Sequence, residues 1–476
     1  MIDLPIIATI FRFEWKQLVR QKVILGALCS FLLIGFLAIY SGHRVIQKQR
    51  IAIDSIKTLY HRDYTLALGR FKDTLTAEKK ARAAYAGDPQ LINYRLPQNA
   101  VHDPDRLAAL AIGLRVVQPY FYRVKSDVNL LDNSNADTHN PLSLLAGDFD
   151  LAFVLVYLLP LLVILLSYNV LSAEKEQGTY HLLAIHGLSV VRLIGFKLLF
   201  RWLVIALVMT FLILSGITFL SLGGHADALQ VIWYLLWSRA YLFFWCALLF
   251  FCVALGKSSA VTALTAIGSW LVFLIILPSL VNSYVSLRHP VPLRADLASV
   301  QRRISEEVWN MPPNALADSF SRYNPRYDAL LDVKTDTGKS SRRFICGYYD
   351  LLERRLKAYA MPLEERINRK NAVIRSFNTF SPAAGYQYAL NEITHTTWAD
   401  QQHYKEQVDL FHLTWRNHLY QRQLAGKNFK PADFSRFPRF KGVESNSYSA
   451  NIPGLSLWAI GTLFFIAGYF LHLKNQ

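Results

Sequence analysis

The sequence predicts an all-α polytopic membrane protein with six transmembrane helices and mostly helical extracytoplasmic inserts. Three observations carry that prediction. Of the 476 residues, 53% are hydrophobic and only 18% are charged, which is too apolar for a soluble chain of this length. Apolar stretches able to cross a hydrocarbon core, which takes about 20 helical residues, recur along the chain. The connections between them are rich in helical runs and poor in alternating strand patterns.

Residues 1–22 form a charged lead. Ile6, Ile10, Phe13, Trp15 and Leu18 fall near one side of a helix and Arg12, Lys16 and Arg20 on another, the pattern of a cytoplasmic amphipathic helix lying on the membrane surface. The first span, residues 23–41 (Val23–Ser41), is not read as a cleaved signal peptide, because its polar lead is long and no small-x-small site follows Phe36. The connection 42–149 reads helical from Val45 to Ala86. Pro89, Pro97, Pro104 and Pro119 then divide it, with short strands expected near Asn93–Leu96 and Val116–Val124. The second span is 150–170, followed by a polar segment, 171–197. Spans three to five occupy 198–284: Leu198–Leu222, Ala240–Leu255 and Ser259–Tyr284. Trp233, Tyr234 and Trp237 precede the fourth and suit an interfacial belt. The connection 285–453 contains an amphipathic helix near its start and helical stretches at Arg342–Ala360, Leu363–Asn378 and Ser381–Leu424, separated by Pro362 and Pro382. Residues 454–476 hold the sixth span, Leu455–Leu473, and a short tail. Pro160 and Pro278, inside the second and fifth spans, fit either kinks lining a pathway or tolerated bends.

Orientation follows from the short segments, since long loops cross largely regardless of charge. Arg12, Lys16, Arg20 and Lys22 in the lead, Lys175, Arg192 and Lys197 in the polar segment, Lys257 and Lys474 all fall on one face, while "GGHADALQ" has no Lys or Arg. That face is expected to be cytoplasmic, with both termini, in the inner membrane of a bacterium. Both long connections are then extracytoplasmic.

Several chemistries are not supported. The formal net charge of +17 divides as +4, +8 and +5 between the first long connection, the second and the remainder. In the connections it is interleaved with acids, as on solvated helical faces, so no nucleic-acid partner is expected. Cys29, Cys246 and Cys252 lie inside spans and Cys346 alone outside them, which leaves no disulfide framework. Glu392 and His395 make half of a carboxylate-bridged metal motif, but no second Glu-x-x-His exists. No metal or cofactor is expected. Gly256–Lys257–Ser258 and Gly338–Lys339–Ser340 resemble the end of a phosphate-binding loop. The glycine such a loop needs five residues earlier is Phe251 in one and Val333 in the other, so the chain is expected to carry no nucleotide site and to be no enzyme. No charged residue lies deep in a span except Arg239 near the outer boundary, which argues against a proton relay.

The segment "LSAEKEQGTYHLLAIHGLSVVRLIGFKLLF" (171–200) is the most informative. Glu174 and Glu176 open a helix where the backbone dipole favours acids, and Gly178 permits close approach. "HGLS" at 186–189 supplies a glycine stop and a new N-cap. The run "AEKEQGTYHLLAIHGLSVVRLIGFKLL" resembles the E-x-E-x-G-T…L-L…G-x-S…K cytoplasmic motif between the second and third spans of ABC-2 type transporter permeases. The run 140–172 before it, "ILPSLVNSYVSLRHPVPLR" (276–294) and "FSPAAGYQYALNEITHTTWADQQHY" (380–404) resemble a branch with two large extracytoplasmic inserts of unknown function.

That resemblance implies a permease subunit that moves an unknown, amphipathic or lipid-like substrate, using ATP hydrolysed by a separate cytoplasmic ABC ATPase subunit. It implies that Glu174, Glu176, Gly178 and Thr179 match the ATPase-contacting coupling segment, and Gly187, Ser189 and Lys197 its second part. Glu14 and Arg20 match the interfacial helix. Six spans being half of the usual core, it implies a second permease, either identical or a paralogue, within the lipid membrane. The alternative keeps the fold: an ATP-driven mechanical or signalling protein acting on extracytoplasmic partners without transport.

Overall fold

The computed structural model describes residues 4–72, 83, 85–127, 149–170, 190–220, 227–255, 258–290, 294–330, 342–442 and 451–474. It is an all-α polytopic membrane protein carrying a large helical body at one end of its bundle. Helix α1 (Leu4–Arg20) runs into α2 (Lys22–Gly69) with a break at Gln21, whose φ and ψ are extended. Four helices are long and apolar enough to span: α2, α5 (Val190–Leu220), α6 (Ala228–Ala254) and α7 (Ser259–Arg288). Shorter apolar helices are α4 (Leu151–Ser167) and the Leu455–Leu471 part of the last helix, Asn451–Lys474.

The central helix of the bundle is α4. Ala152, Leu155, Leu159 and Val163 are all fully enclosed, because α2, α5, α6 and α7 surround them. Its start is capped by Asp150, whose carboxylate accepts from Phe153 N and from Ile112 N, each at 2.8 Å. This residue is therefore a cap that also pins the first long connection to the bundle. The fourth span starts earlier than its hydropathy suggests, at Ala228, with Asp227 as cap. Its aromatic run is core rather than belt: Tyr234 and Trp237 are 0% and 2% exposed. The helix Pro382–Ile393 of the second connection packs against this span.

Backbones meet closely at several glycines, of which Gly42 and Gly468 lie on spanning helices. A side chain at Gly42 of α2 would occupy the place of the Ala109 carbonyl, so only glycine lets the 105–118 loop lie on that helix. At Gly468 of the last helix, a Cβ would press on Phe250 and Phe251 of α6. The smallest side chain thus sets the spacing of the fourth and sixth spans.

Outside the bundle, α3 (Pro89–Arg95), β1 (Gln98–Val101) and β2 (Phe121–Val124) follow α2. The strands pair antiparallel, with Gln98 opposite Val124 and Val101 opposite Phe121. The first strand lies five residues beyond the expected one. Asp88 caps a helix over 89–95 and Pro97, unable to extend it, passes the chain into the strand. The second connection supplies α8 (Arg294–Trp309), α9 (Pro313–Tyr323), α10 (Arg342–Asn378), α11 (Pro382–Ile393) and α12 (Trp398–Leu424); the last helix is α13.

Two expectations here are corrected. Pro362 does not divide α10; the carbonyl it leaves without a donor belongs to Ala358, which is exposed, so no buried acceptor is orphaned. The stretch Ser381–Leu424 is two helices. They break where His395 takes a positive φ of 52° and the Thr394 and Thr396 hydroxyls both donate to Ala111 O at 3.0 Å.

The two long connections build one folded body. Ile92, Leu96, Ala100 and Val124 from the first share a core with Tyr404, Val408, Trp415 and Phe434 from the second. Buried ions tie α10 to α12. Arg416 pairs with Glu353 and lies 3.9 Å from Asp350, while Lys357 reaches Glu353 at 2.7 Å. Burial alone would raise the Glu353 carboxyl, yet Arg416 and Lys357 outweigh it and hold it below its ordinary value.

Candidate coupling site

The polar segment follows Val170, just past the end of α4, and precedes Val190 at the start of α5. Glu174, Glu176, Gly178, Thr179, Gly187 and Ser189 lie outside the described residues. The frame that holds both ends of the segment is described, and it is charged inside.

Lys197 and Arg201 stand one turn apart on α5, so their side chains share a face. Between them and the bundle lies Glu14 of α1. Lys197 Nζ is 3.3 Å from Glu14 Oε1, and Arg201 Nε and Nη2 each donate to Glu14 Oε2 at 3.2 Å. Arg201 Nη1 also donates to Leu166 O in the last turn of α4, where the helix dipole is negative. Glu14, Lys197 and Arg201 are only 2%, 6% and 8% exposed. Three helices that leave the same face of the bundle therefore meet on one buried carboxylate. Beside them Phe11 packs edge-on against Phe200 at 5.4 Å, and Val170, Ile194 and Leu198 join Phe250 and Val253 of α6 in a separate apolar cluster.

Lys197 thus points inward. Arg20 stands exposed at the end of α1. The inward face of α1 is Phe11, Glu14 and Leu18, while Phe13 and Trp15 are 59% and 56% exposed; burying the acid against two cations decides the rotation of the helix. Arg201 went unrecognised in the sequence as a member of this group. Its signal was a pair of cations at i and i+4 entering an apolar span, which demands a buried acid nearby.

At its other end α4 carries a second junction. Residues Val154–Leu158 form a π-turn immediately before Leu159-Pro160, and Val272–Ile276 of α7 do the same before Leu277-Pro278. Pro160 has no N–H for Val156 O. Tyr241 Oη of α6 donates to that carbonyl at 2.8 Å, and Trp270 Nε1 of α7 donates to Tyr157 O at 3.1 Å. Tyr241 is stacked on Tyr386 of α11, with centroids 4.4 Å apart, and Tyr386 Oη donates to Ser238 Oγ at 2.7 Å. The first proline of the spans is thus a supported bend whose carbonyls are held by neighbouring helices. The α11 helix, though part of the second long connection, is sunk into the bundle: Tyr386, Ala389, Leu390 and Ile393 are fully buried.

Elsewhere, His395 Nδ1 lies 3.3 Å from Asp400, which also caps α12 through Thr397. Among the described residues no three His, Cys, Asp or Glu side chains are arranged to hold a metal.

The sequence model of the family described as ABC-2 family transporter protein matches residues 8–432. This chain belongs to the ABC-2 transporter family. As a member of that family it is a membrane component of a transporter, and membership implies partnership with an ABC ATPase. No curated protein and no solved structure matches it. The matched region takes in most of α1, the buried carboxylate, the segment 171–189 and most of the body built by the two long connections, so within this ABC-2 chain both junctions of α4 fall inside the family region.

Proposed function

We propose that the chain is the membrane-spanning permease subunit of an ABC transporter, moving an amphipathic or lipid-like substrate with ATP hydrolysed by a separate cytoplasmic subunit. The observation that carries the reading is the buried Glu14–Lys197–Arg201 cluster inside the family region. It joins α1, the end of α4 and the start of α5, the elements that frame residues 171–189. A push on that segment reaches all three helices together, because separating them exposes buried charge. The segment is proposed as the contact for the ATPase, through Glu174, Glu176, Gly178 and Thr179, with Gly187 and Ser189 in its second part. Arg20, exposed at the end of α1, is proposed to face the cytoplasm, as are both termini, and the membrane is proposed to be the bacterial inner one.

A second permease, identical or paralogous, is proposed to cover the open apolar side. Support comes from α7, where Leu264, Leu271, Val272 and Leu280 are all exposed.

The test is charge reversal, Glu174→Lys with Glu176→Lys. The expected result is loss of ATPase co-purification or of its stimulation by the permease, with an unchanged melting midpoint. Unaltered capture and hydrolysis would remove the coupling assignment.

A second reading has its own support. The seat of α11 on Tyr241 links the outer body to the π-turn of α4, so ATP-driven motion can reach extracytoplasmic partners with nothing transported. Substrate flux in sealed vesicles favours the first reading; ATP-dependent protease protection of the outer body without flux favours the second.

A further inference from the structure

Two clefts adjoin on the outer body, of about 290 and 460 Å³. They share Tyr60 and Asn99, and Tyr60 Oη donates at 3.0 Å to Oε1 of Gln98, which lines the second. The first is walled by Arg95, Arg123 and Lys125 and the second by Lys57, Arg439 and Lys441. Each contains one acid. Asp63 faces Arg62 at 3.5 Å and Asp103 faces Lys57 at 3.2 Å. Among the described residues no carboxylate pairs with Arg95, Arg123, Lys125, Arg439 or Lys441. Like charges also crowd the rim. Burial, and then the Arg95 charge, push the Arg70 guanidinium below its ordinary value, and Asp63 offsets them only in part.

The position of the clefts restricts what fills them. Tyr60 lies 19 residues past Ser41 on the unbroken helix α2, about 28 Å along its axis. A headgroup anchored in the bilayer does not reach that height. The cations are also spread along two clefts from four chain segments, so a single compact anion would neutralise one group and leave the other. A run of carboxylates on an extended chain meets both.

We infer that the twin clefts are a docking site for an acidic peptide segment of a partner protein on the side of the membrane that carries the long connections. Extended backbone places successive side chains 3.3–3.4 Å apart along its length, so alternate carboxylates reach the cations on either side of Tyr60. The exposed setting makes the attraction salt-dependent.

The experiment uses the full chain in nanodiscs of phosphatidylcholine alone, titrated with fluorescein-labelled hexaglutamate. The expected result is saturable one-to-one binding that weakens as salt is raised. Arg123→Glu with Lys125→Glu, and separately Arg439→Glu with Lys441→Glu, are each expected to weaken it at least tenfold. Arg366→Glu with Lys370→Glu, an equal charge change on α10, is expected to leave it intact. Unchanged melting midpoints exclude misfolding, and the salt titration of the unaltered chain needs no variant. Absence of binding, or equal loss in the α10 control, overturns the inference. So does pyrophosphate binding as tightly as the peptide and displacing it one for one, which would make the clefts a small-anion site.

Discussion

Glu14 carries two cations in an apolar setting, and its removal has a defined cost. Glu14→Gln leaves Lys197 and Arg201 buried without a counter-charge, and breaking a buried pair in this way costs about 3–5 kcal/mol. A large fall in the detergent melting midpoint is expected. The triple change Glu14→Leu, Lys197→Met and Arg201→Leu is expected to recover much of it, since apolar replacement of whole buried ion groups is often neutral. Tyr241→Phe removes only the donor to Val156 O, for which the expected loss is about 1–3 kcal/mol. Because Phe keeps the stack on Tyr386, the outer end of α4 should loosen while the rest holds. The sequence singles out Glu14 through the family pattern, but the buried partners of neither residue are legible there. Glu14 sits in a stripe that looks like the solvated side of a surface helix, and its partner Arg201 is 187 residues away. A tyrosine inside an apolar span gives no sign of which carbonyl it satisfies.

Elements were easier to foresee where one local property fixes them. Spans follow from hydropathy, and α2 from a long run without breakers, whereas α10 was expected to divide at Pro362 and does not. Boundaries set by distant partners were not legible: α11 and α12 separate because Thr394 and Thr396 find Ala111, nearly 300 residues earlier in the chain. The α12 helix also has a pH response of its own. Burial lowers His412 to about 4, with Glu353 opposing and Arg416 and Lys357 reinforcing the shift. His102, stacked on Tyr404 at 4.6 Å, is lowered to about 3 by burial and then by Arg115. Both are neutral when folded but take up a proton when unfolded below their ordinary 6.5. The unfolded state therefore gains protons first, and stability falls as pH drops from 6.5 towards these values. Between pH 6.5 and 4.5 each site is expected to cost about 2 kcal/mol. Glu353 and Asp400, held below 4.5 and 3.8, add a loss at still lower pH, partly opposed by Asp409, whose carboxyl burial raises. A melting series from pH 7.5 to 4.5 checks this, and His412→Gln should flatten its acid limb.

For the molecule as a whole, the shared core of the two long connections decides what can be separated. Residues 288–453 made alone lack Ile92, Leu96, Ala100 and Val124, and are expected to show poor amide dispersion in NMR spectra. Co-expression with residues 42–127 should restore it. Sequence periodicity is local, so it presents these stretches as independent, and only the fold joins them. The same fold gives α2 an unequal division. Of its 48 residues, those from Gly42 to Gly69 extend beyond the span, an outer arm of about 42 Å. Pivoting at the bilayer by roughly five degrees would sweep its tip through about 4 Å. A tilt small enough to go unnoticed among the spans would thus be magnified at the far end into a displacement wider than a water molecule.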